Sequence, residues 1–249
     1  MPRFFISPSQ IGIRGDGSRT VLITGDDALH ITKSLRMKPG ENVTVCDGCC
    51  REYLCRVESV GDAVVLGIES ESRSKTEPPY RAAVYQALVK GDKFDTVIQK
   101  SVECGAARIV PFISERCVVR LSPRDTEKKL PRWQRIAEEA AKQCGRGEVP
   151  VVAPLMSFDE AVRDASSADM PLFCYENEHT ESLASIIKKA DGTPESVSVM
   201  IGSEGGFSAK EADRAAECGM KNISLGSRIL RTETASSFVL ACLSLAFEM

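Results

Sequence analysis

VSVMIGSEGGFSAKEADRAA, residues 197–216, is the stretch on which the fold turns. Its apolar opening reads as a buried strand, and the run stops at Gly202. Gly205 and Gly206 follow, with Glu204 before them. Ser208 and Glu211 then have the spacing of a capping box, so a helix begins directly after the turn. A strand passing through a glycine-rich turn into a helix is one half of a βαβ unit.

The same rhythm extends outward on both sides. From Tyr80, RAAVYQALVK is a strand, DKFDTVIQKSVECG a helix and ARIVPFI a strand. EKKLPRWQRIAEEAAKQCGR is a long helix, and VPVVAPL follows it. SFDEAVRDAS opens on a second capping box, Ser157 with Glu160. MPLFCYE is a strand, TESLASIIKKA a helix, and ISLG a last short strand. This alternation predicts a mostly parallel sheet with helices on both faces. ASSFVLACLSLAFEM is apolar nearly all round, so the final helix is buried or half of a subunit contact. Upstream, short β-rich runs separated by Pro-Gly, Asp-Gly and Val-Gly-Asp turns predict a small barrel. The stretch ESESRSKTEPP (69–79) lacks apolar residues and ends in two prolines. The division is therefore a β-barrel domain over 1–70, a linker over 71–79 and an α/β domain over 80–249.

Nothing in the composition points outside the cytoplasm. No apolar run is long enough to span a bilayer, and MPRFFISPSQ lacks a signal-peptide core. The ten cysteines are scattered, which fits reduced thiols. Cys46 and Cys49 have C-x-x-C spacing, with Cys50 and Cys55 close by. No second C-x-x-C follows and His30 is the only nearby histidine, so these read as hairpin thiols and no metal is expected. Net charge is −3, yet residues 116–146 carry nine Lys/Arg against four acids. A local basic surface on an acidic chain fits a polyanion on one side; a solvated helix face is the plainer alternative.

In parallel sheets ligands bind beyond the carboxyl ends of the strands. The glycine turn lies at such an end, but it matches no phosphate-loop pattern, and Glu204 would repel a phosphate at a helix start. An acid fits better beside a cation, a sugar hydroxyl or an amine. The neighbouring loop SRILRTET offers Arg228, Arg231 and Glu233, and LFCYENEH offers Tyr175 and Glu176. Three such loops suit a flat ligand with an apolar wall and polar edges, such as an adenine-bearing cofactor.

IGSEGGFS (201–208), LGSRILRTETA (225–235), the opening MPRFF, KGDKFDTVIQKSVECGAARIVPFISER (90–116) and RWQRIAEEAAKQCGR (132–146) together resemble the RsmE-type 16S ribosomal RNA uridine-N3 methyltransferases of the SPOUT superfamily. The resemblance covers essentially the whole chain. It implies a PUA-like β-barrel followed by an α/β domain with a trefoil knot. It also implies a homodimer and S-adenosylmethionine as methyl donor. Where the family usually has proline this chain has Ser203. By resemblance, Ile201, Gly202 and Gly205 of the turn, Leu225, Gly226, Ile229 and Leu230, and Leu172, Tyr175 and Glu176 hold the cofactor.

Methylation at a uracil N3 requires loss of a proton and stabilisation of charge on the ring oxygens. Arg231 suits the second task, and Glu204 or Glu233 the first. Arg3, Lys33 and Arg36 in the first domain and Lys90, Lys93, Arg116, Arg132 and Arg146 in the second are expected to hold the small-subunit 16S rRNA. His30 reads as a packing or RNA-contact residue, Trp133 as packing and His179 as exposed. Two alternatives are a non-catalytic RNA-binding assembly factor and methyl transfer to another RNA site.

Overall fold

The computed structural model describes residues 1–119, 121, 123–178 and 181–249. The chain forms two compact units: residues 1–77 with 141–149, and residues 78–140 with 150–249.

The first unit is built on six strands: β1 (Arg3–Phe5), β2 (Ile11–Ile13), β3 (Arg19–Ile23), β4 (Asn42–Cys46), β5 (Arg51–Val60) and β6 (Val64–Arg73). Their order is β1-β4-β5-β6-β3-β2, antiparallel except for the parallel β1–β4 pair. Register shifts at Leu54/Cys55 and Val57/Ser59 bend β5. Phe4, Val21, Val43, Val45, Val57 and Leu66 therefore meet in one core. A short helix, α1 (Gly25–Leu29), runs into a π-helical turn over His30–Ser34 and lends Ala28 and Ile31 to that core. The two-residue alternation along β4 to β6 is what makes this wall legible. β6 runs three residues into the stretch read as a linker, with Arg73 opposite Arg51.

Residues 141–149 complete this unit through polar contacts. The Arg146 guanidinium is buried, 3% exposed, and donates from Nε to Glu77 Oε2 at 3.1 Å. Glu77 Oε1 also accepts the Gly147 and Glu148 N–H groups at 3.0 and 3.3 Å. Lys142 Nζ donates to Asp27 Oδ1 at 3.1 Å. A Cβ on Gly147 would lie 2.4 Å from Ser74 Cβ, so only glycine fits there.

The second unit has a parallel sheet: β7 (Arg81–Ala87), β8 (Ala106–Ile113), β9 (Val151–Val152), β10 (Met156–Ser157), β11 (Met170–Cys174), β12 (Ser196–Ile201) and β13 (Lys221–Ile223). The order is β10-β8-β7-β12-β11-β13, and β9 pairs with β8 off that path. Its helices are α2 (Lys93–Glu103), α3 (Pro123–Cys144, whose last residues join the first unit), α4 (Phe158–Ala165), α5 (Leu183–Lys189), α6 (Ala209–Glu217) and α7 (Thr232–Phe247). Both predicted capping boxes form, at Ser157/Glu160 and Ser208/Glu211.

Alternation along the strands separates two cores. Val84, Leu172, Val197, Val199 and Ile201 point to one face, where α5 and α7 supply Leu183, Val239, Leu240 and Leu243. On the other face Ser198 Oγ donates to Ala165 O of α4, and the Phe173 and Phe207 rings pack with centroids 4.1 Å apart. α7 starts at Thr232, three residues earlier than the apolar run suggests, because the Thr232 side chain is buried in a polar contact described below.

Breaking the buried pair tests the closure of the first unit. Arg146→Ala and Glu77→Ala should each destabilise it by about 3–5 kcal/mol, the cost of stranding one buried charge. The double variant should cost less than the two singles together. Urea unfolding followed by hydrogen exchange at β5 amides reads both.

Candidate active site

The carboxyl ends of β7 and β12 are joined by one carboxamide. Gln86, fully buried at the end of β7, donates from Nε2 to Gly202 O at 3.2 Å and to Thr232 Oγ1 at 2.8 Å. Thr232 Oγ1 in turn donates to Gly202 O at 2.6 Å. The start of α7 is thereby fixed over the end of β12. β13 lies beyond β11, so the segment 224–231 crosses the end of β11 to reach that point. Sequence reasoning missed Gln86; its signal was a lone amide in the otherwise apolar strand RAAVYQALVK.

The glycine turn closes on itself, with the Gly206 N–H donating to Ser203 O at 3.0 Å. Its glycines are there for contact. Gly206 has φ +64°, and a Cβ there would lie 1.9 Å from Glu176 Oε1. A Cβ on Gly202 would lie 3.1 Å from the Gly206 backbone. Phe207 then plugs the turn into the aromatic cluster of Phe112, Phe158 and Phe173. Below it, the Glu115 N–H donates to Glu211 Oε1 at 2.8 Å and Ser208 Oγ to Glu115 Oε2 at 2.7 Å, tying the loop after β8 to the start of α6.

Charge gathers on the outer side of the turn. Glu204 Oε1 accepts the Lys90 N–H and Lys93 Nζ, both at 3.2 Å. Partial burial works to raise the carboxyl's pKa, but hydrogen bonds from its own N–H, from Lys90 and from Lys93 prevail and hold it below the ordinary range. Glu233, in the first turn of α7, stands 3.9 Å from the same Lys93 Nζ, and its buried Oε2 has no hydrogen-bond partner. Gln86 Oε1 and Ser203 Oγ are likewise buried without a partner. Buried polar atoms of this kind are rare and call for a ligand or water. Three of them around one turn fit a polar ligand seated there.

The remaining loops complete the rim. The Tyr175 N–H donates to Ile223 O at 3.0 Å, and Leu183 N–H to Ser224 O at 3.1 Å. Leu225 and Leu230 pack on the α7-side core, Gly226 has φ +104°, and Ile229 is 89% exposed. Arg228 and Arg231 are exposed, with no side-chain partner among the described residues. Leu172 lies inside the ladder, two residues before the end of β11, and is fully buried.

The expected RNA-contacting cations separate into two groups. Arg3 donates to Glu52 Oε1 and Cys46 Sγ at 2.8 Å, and Arg146 is the buried partner of Glu77, so both guanidiniums are taken up inside the first unit. Arg132 pairs with Asp95, Arg116 donates to Gly205 O at 3.0 Å and stands 3.9 Å from Glu176, and Lys93 holds the two acids. Lys33, Arg36 and Lys90 are exposed. On α3, Arg124, Lys128, Lys129 and Arg135 are exposed and have no ion-pair partner among the described residues. His30 packs edge-on to Phe4, and Trp133 is buried against Phe94. His179 lies outside the described residues. Among the described residues no group of three or more His, Cys, Asp or Glu is placed to hold a metal, and no helix is long and apolar enough to cross a membrane.

Comparison with known proteins follows the same division. Residues 76–244 match the RNA methyltransferase domain and residues 23–68 the RNA methyltransferase PUA domain. The chain is 33% identical to ribosomal RNA small subunit methyltransferase E of Bacillus subtilis, over 100% of this chain and 98% of the relative. The crystal structure of the same-named protein of Neisseria gonorrhoeae, bound to S-adenosylmethionine, superposes with a TM-score of 0.86 at 32% identity, covering 99% of this chain and 98% of that one. A Legionella pneumophila structure with the same bound cofactor also gives 0.86, at 30% identity, covering 99% of this chain and 98% of that one.

Gly206→Ala tests the packing of the turn. It should cost about 1–3 kcal/mol from the positive φ and the Glu176 contact together. Adding Glu176→Ala should restore the contact share and leave the backbone share. Thermal and urea denaturation of the three variants measure the split.

Proposed function

This chain belongs to the RNA methyltransferase family represented by ribosomal RNA small subunit methyltransferase E, and from that premise we propose that the methyl group it transfers goes to N3 of a uridine in 16S rRNA. It is an S-adenosylmethionine-dependent rRNA methyltransferase. What carries the reading of this particular site is three buried polar atoms without a hydrogen-bond partner, Gln86 Oε1, Ser203 Oγ and Glu233 Oε2, on the three elements that meet at Gly202. Bound there, the cofactor supplies an electrophilic methyl group.

The residues divide the work. Gly202, Gly205 and the Leu225–Leu230 segment lie against the cofactor, with Ile201, Tyr175 and Glu176 at its edges. Arg231 immediately precedes α7, and its guanidinium has no partner among the described residues. It is the donor to the uracil oxygens as N3 loses its proton. Glu204 is held to Lys90 and Lys93, so Glu233, with an open Oε2, is the better proton acceptor. Leu172 contributes packing under the site. RNA phosphates meet Lys33 and Arg36 on the first unit and Lys90 with the free cations of α3 on the second.

The segment 224–231 crosses the end of β11, and we assign the chain the trefoil-knotted topology of the SPOUT family. Phe238, Ala241, Cys242 and Leu245 recur at helical spacing on α7; Phe238 and Cys242 pack partly on the chain's own core, while Ala241 and Leu245 are exposed, Leu245 by 70%. This stripe is the contact of a homodimer. A cytoplasmic location follows from the substrate.

Small subunits lacking the modification, incubated with enzyme and labelled donor, should gain one methyl group. Mass spectrometry should find it as N3-methyluridine; a methyl group on another atom would sink the reading. Arg231→Ala should lose about 10²–10³-fold in turnover, the usual cost of one such donor, with cofactor affinity within twofold of wild type. Calorimetry and single-turnover assays separate the two. Leu245→Glu should convert the dimer to monomer in sedimentation velocity.

A further inference from the structure

Lys93 occupies an awkward place for a lysine. It is the first residue of α2, where unpaired N–H groups concentrate positive charge and an acid would be favoured. Local helix energetics do not explain it, and two carboxylates do. Its Nζ lies 3.2 Å from Glu204 Oε1 and 3.9 Å from Glu233 Oε2. One ammonium from α2 therefore serves an acid of the glycine turn and an acid of α7. Its hydrogen bond goes to Glu204, which also takes the Lys90 N–H. Glu233 Oε2 feels the charge at longer range and forms no hydrogen bond.

We propose that Lys93 is a positioning residue of the reaction centre: its ammonium draws Glu233 toward the glycine turn without a hydrogen bond, so that Oε2 stays free to take the uridine proton. The inference rests on the reading of Glu233 as the acceptor. Without the ammonium the two carboxylates would repel each other, and nothing else among the described residues would hold Glu233 toward the glycine turn. The groups facing the ammonium are Glu204 from the turn and Glu233 from α7; Asp92 and Asp95 belong to the start of its own helix, and Asp95 is already paired with Arg132. Among the described residues no other carboxylate pairs with it.

Lys93→Met relieves an unfavourable helix start but also unties Glu204 from α2, so thermal denaturation first establishes that the variant is folded. Single-turnover rates with saturating small subunits and donor should fall roughly tenfold or more at neutral pH, within the range for proton-transfer groups. Lys93→Arg should restore most of the rate. In a Glu233→Gln background, Lys93→Met should cost less than twofold, since its effect passes through Glu233. Glu204→Gln provides a second arm: it releases the ammonium toward Glu233 and should slow transfer. The proposal is overturned if Lys93→Met weakens subunit binding, flattens its salt dependence and leaves the saturated rate unchanged, which would make Lys93 a phosphate contact. It is also overturned if Lys93→Met costs as much with Glu233→Gln as without it. If Glu233→Gln alone retains wild-type turnover, the acceptor assignment itself is wrong, and that result is read independently of Lys93.

Discussion

Two hydrogen bonds to one carbonyl oxygen organise the second unit. Gly202 O accepts from Gln86 Nε2 and from Thr232 Oγ1, so the ends of β7 and β12 and the first turn of α7 share one anchor. A one-residue slip of β7 would turn Gln86 to the opposite face and break the contact. Leaving that buried carbonyl unpaired would cost on the order of 1–3 kcal/mol. The glycine turn, Glu204, Arg231 and Glu233 all take their positions from this point. Residues distant in sequence become one site because a single buried amide fixes the strand ends beneath them.

The turn itself is held from two directions by different forces. Below, Phe207 is fully buried among Phe112, Phe158 and Phe173, a hydrophobic anchor of roughly 1.5–3 kcal/mol. Above, Glu204 is tied to the loop after β7 by Lys90 and Lys93. Between the two the backbone must pass close to Glu176, and only glycine at 206 allows it. This answers why an acid stands in a glycine-rich turn: it fastens the turn's outer edge, where the strand below cannot reach.

Much of this was legible in the sequence, for local reasons. The strand-turn-helix at 197–216, the two capping boxes and the alternation of strands and helices all depend on residues within a few positions of one another. The glycines announced the turn, and α7 was visible as a run apolar nearly all round, with only small residues interleaved. What escaped depends on partners far along the chain. Arg146 looked like a surface cation in a basic run, yet it is buried against Glu77, 69 residues earlier. Arg3 looked free, but Glu52 and Cys46 take it up. Lys93 read as a phosphate contact because neither of its acids is near it in sequence. Gln86 gave only a faint signal, since one amide in a strand is silent until its partners are known.

The return of residues 141–149 to the first unit bears on how the chain is made. A ribosome releases the polypeptide from its amino end, so the first 77 residues emerge long before the segment that finishes their unit. Glu77 is then a carboxylate without its guanidinium, and the niche beside Ser74 that admits only Gly147 stays open. That unit cannot settle into its final form until residues 141–149 have also been made.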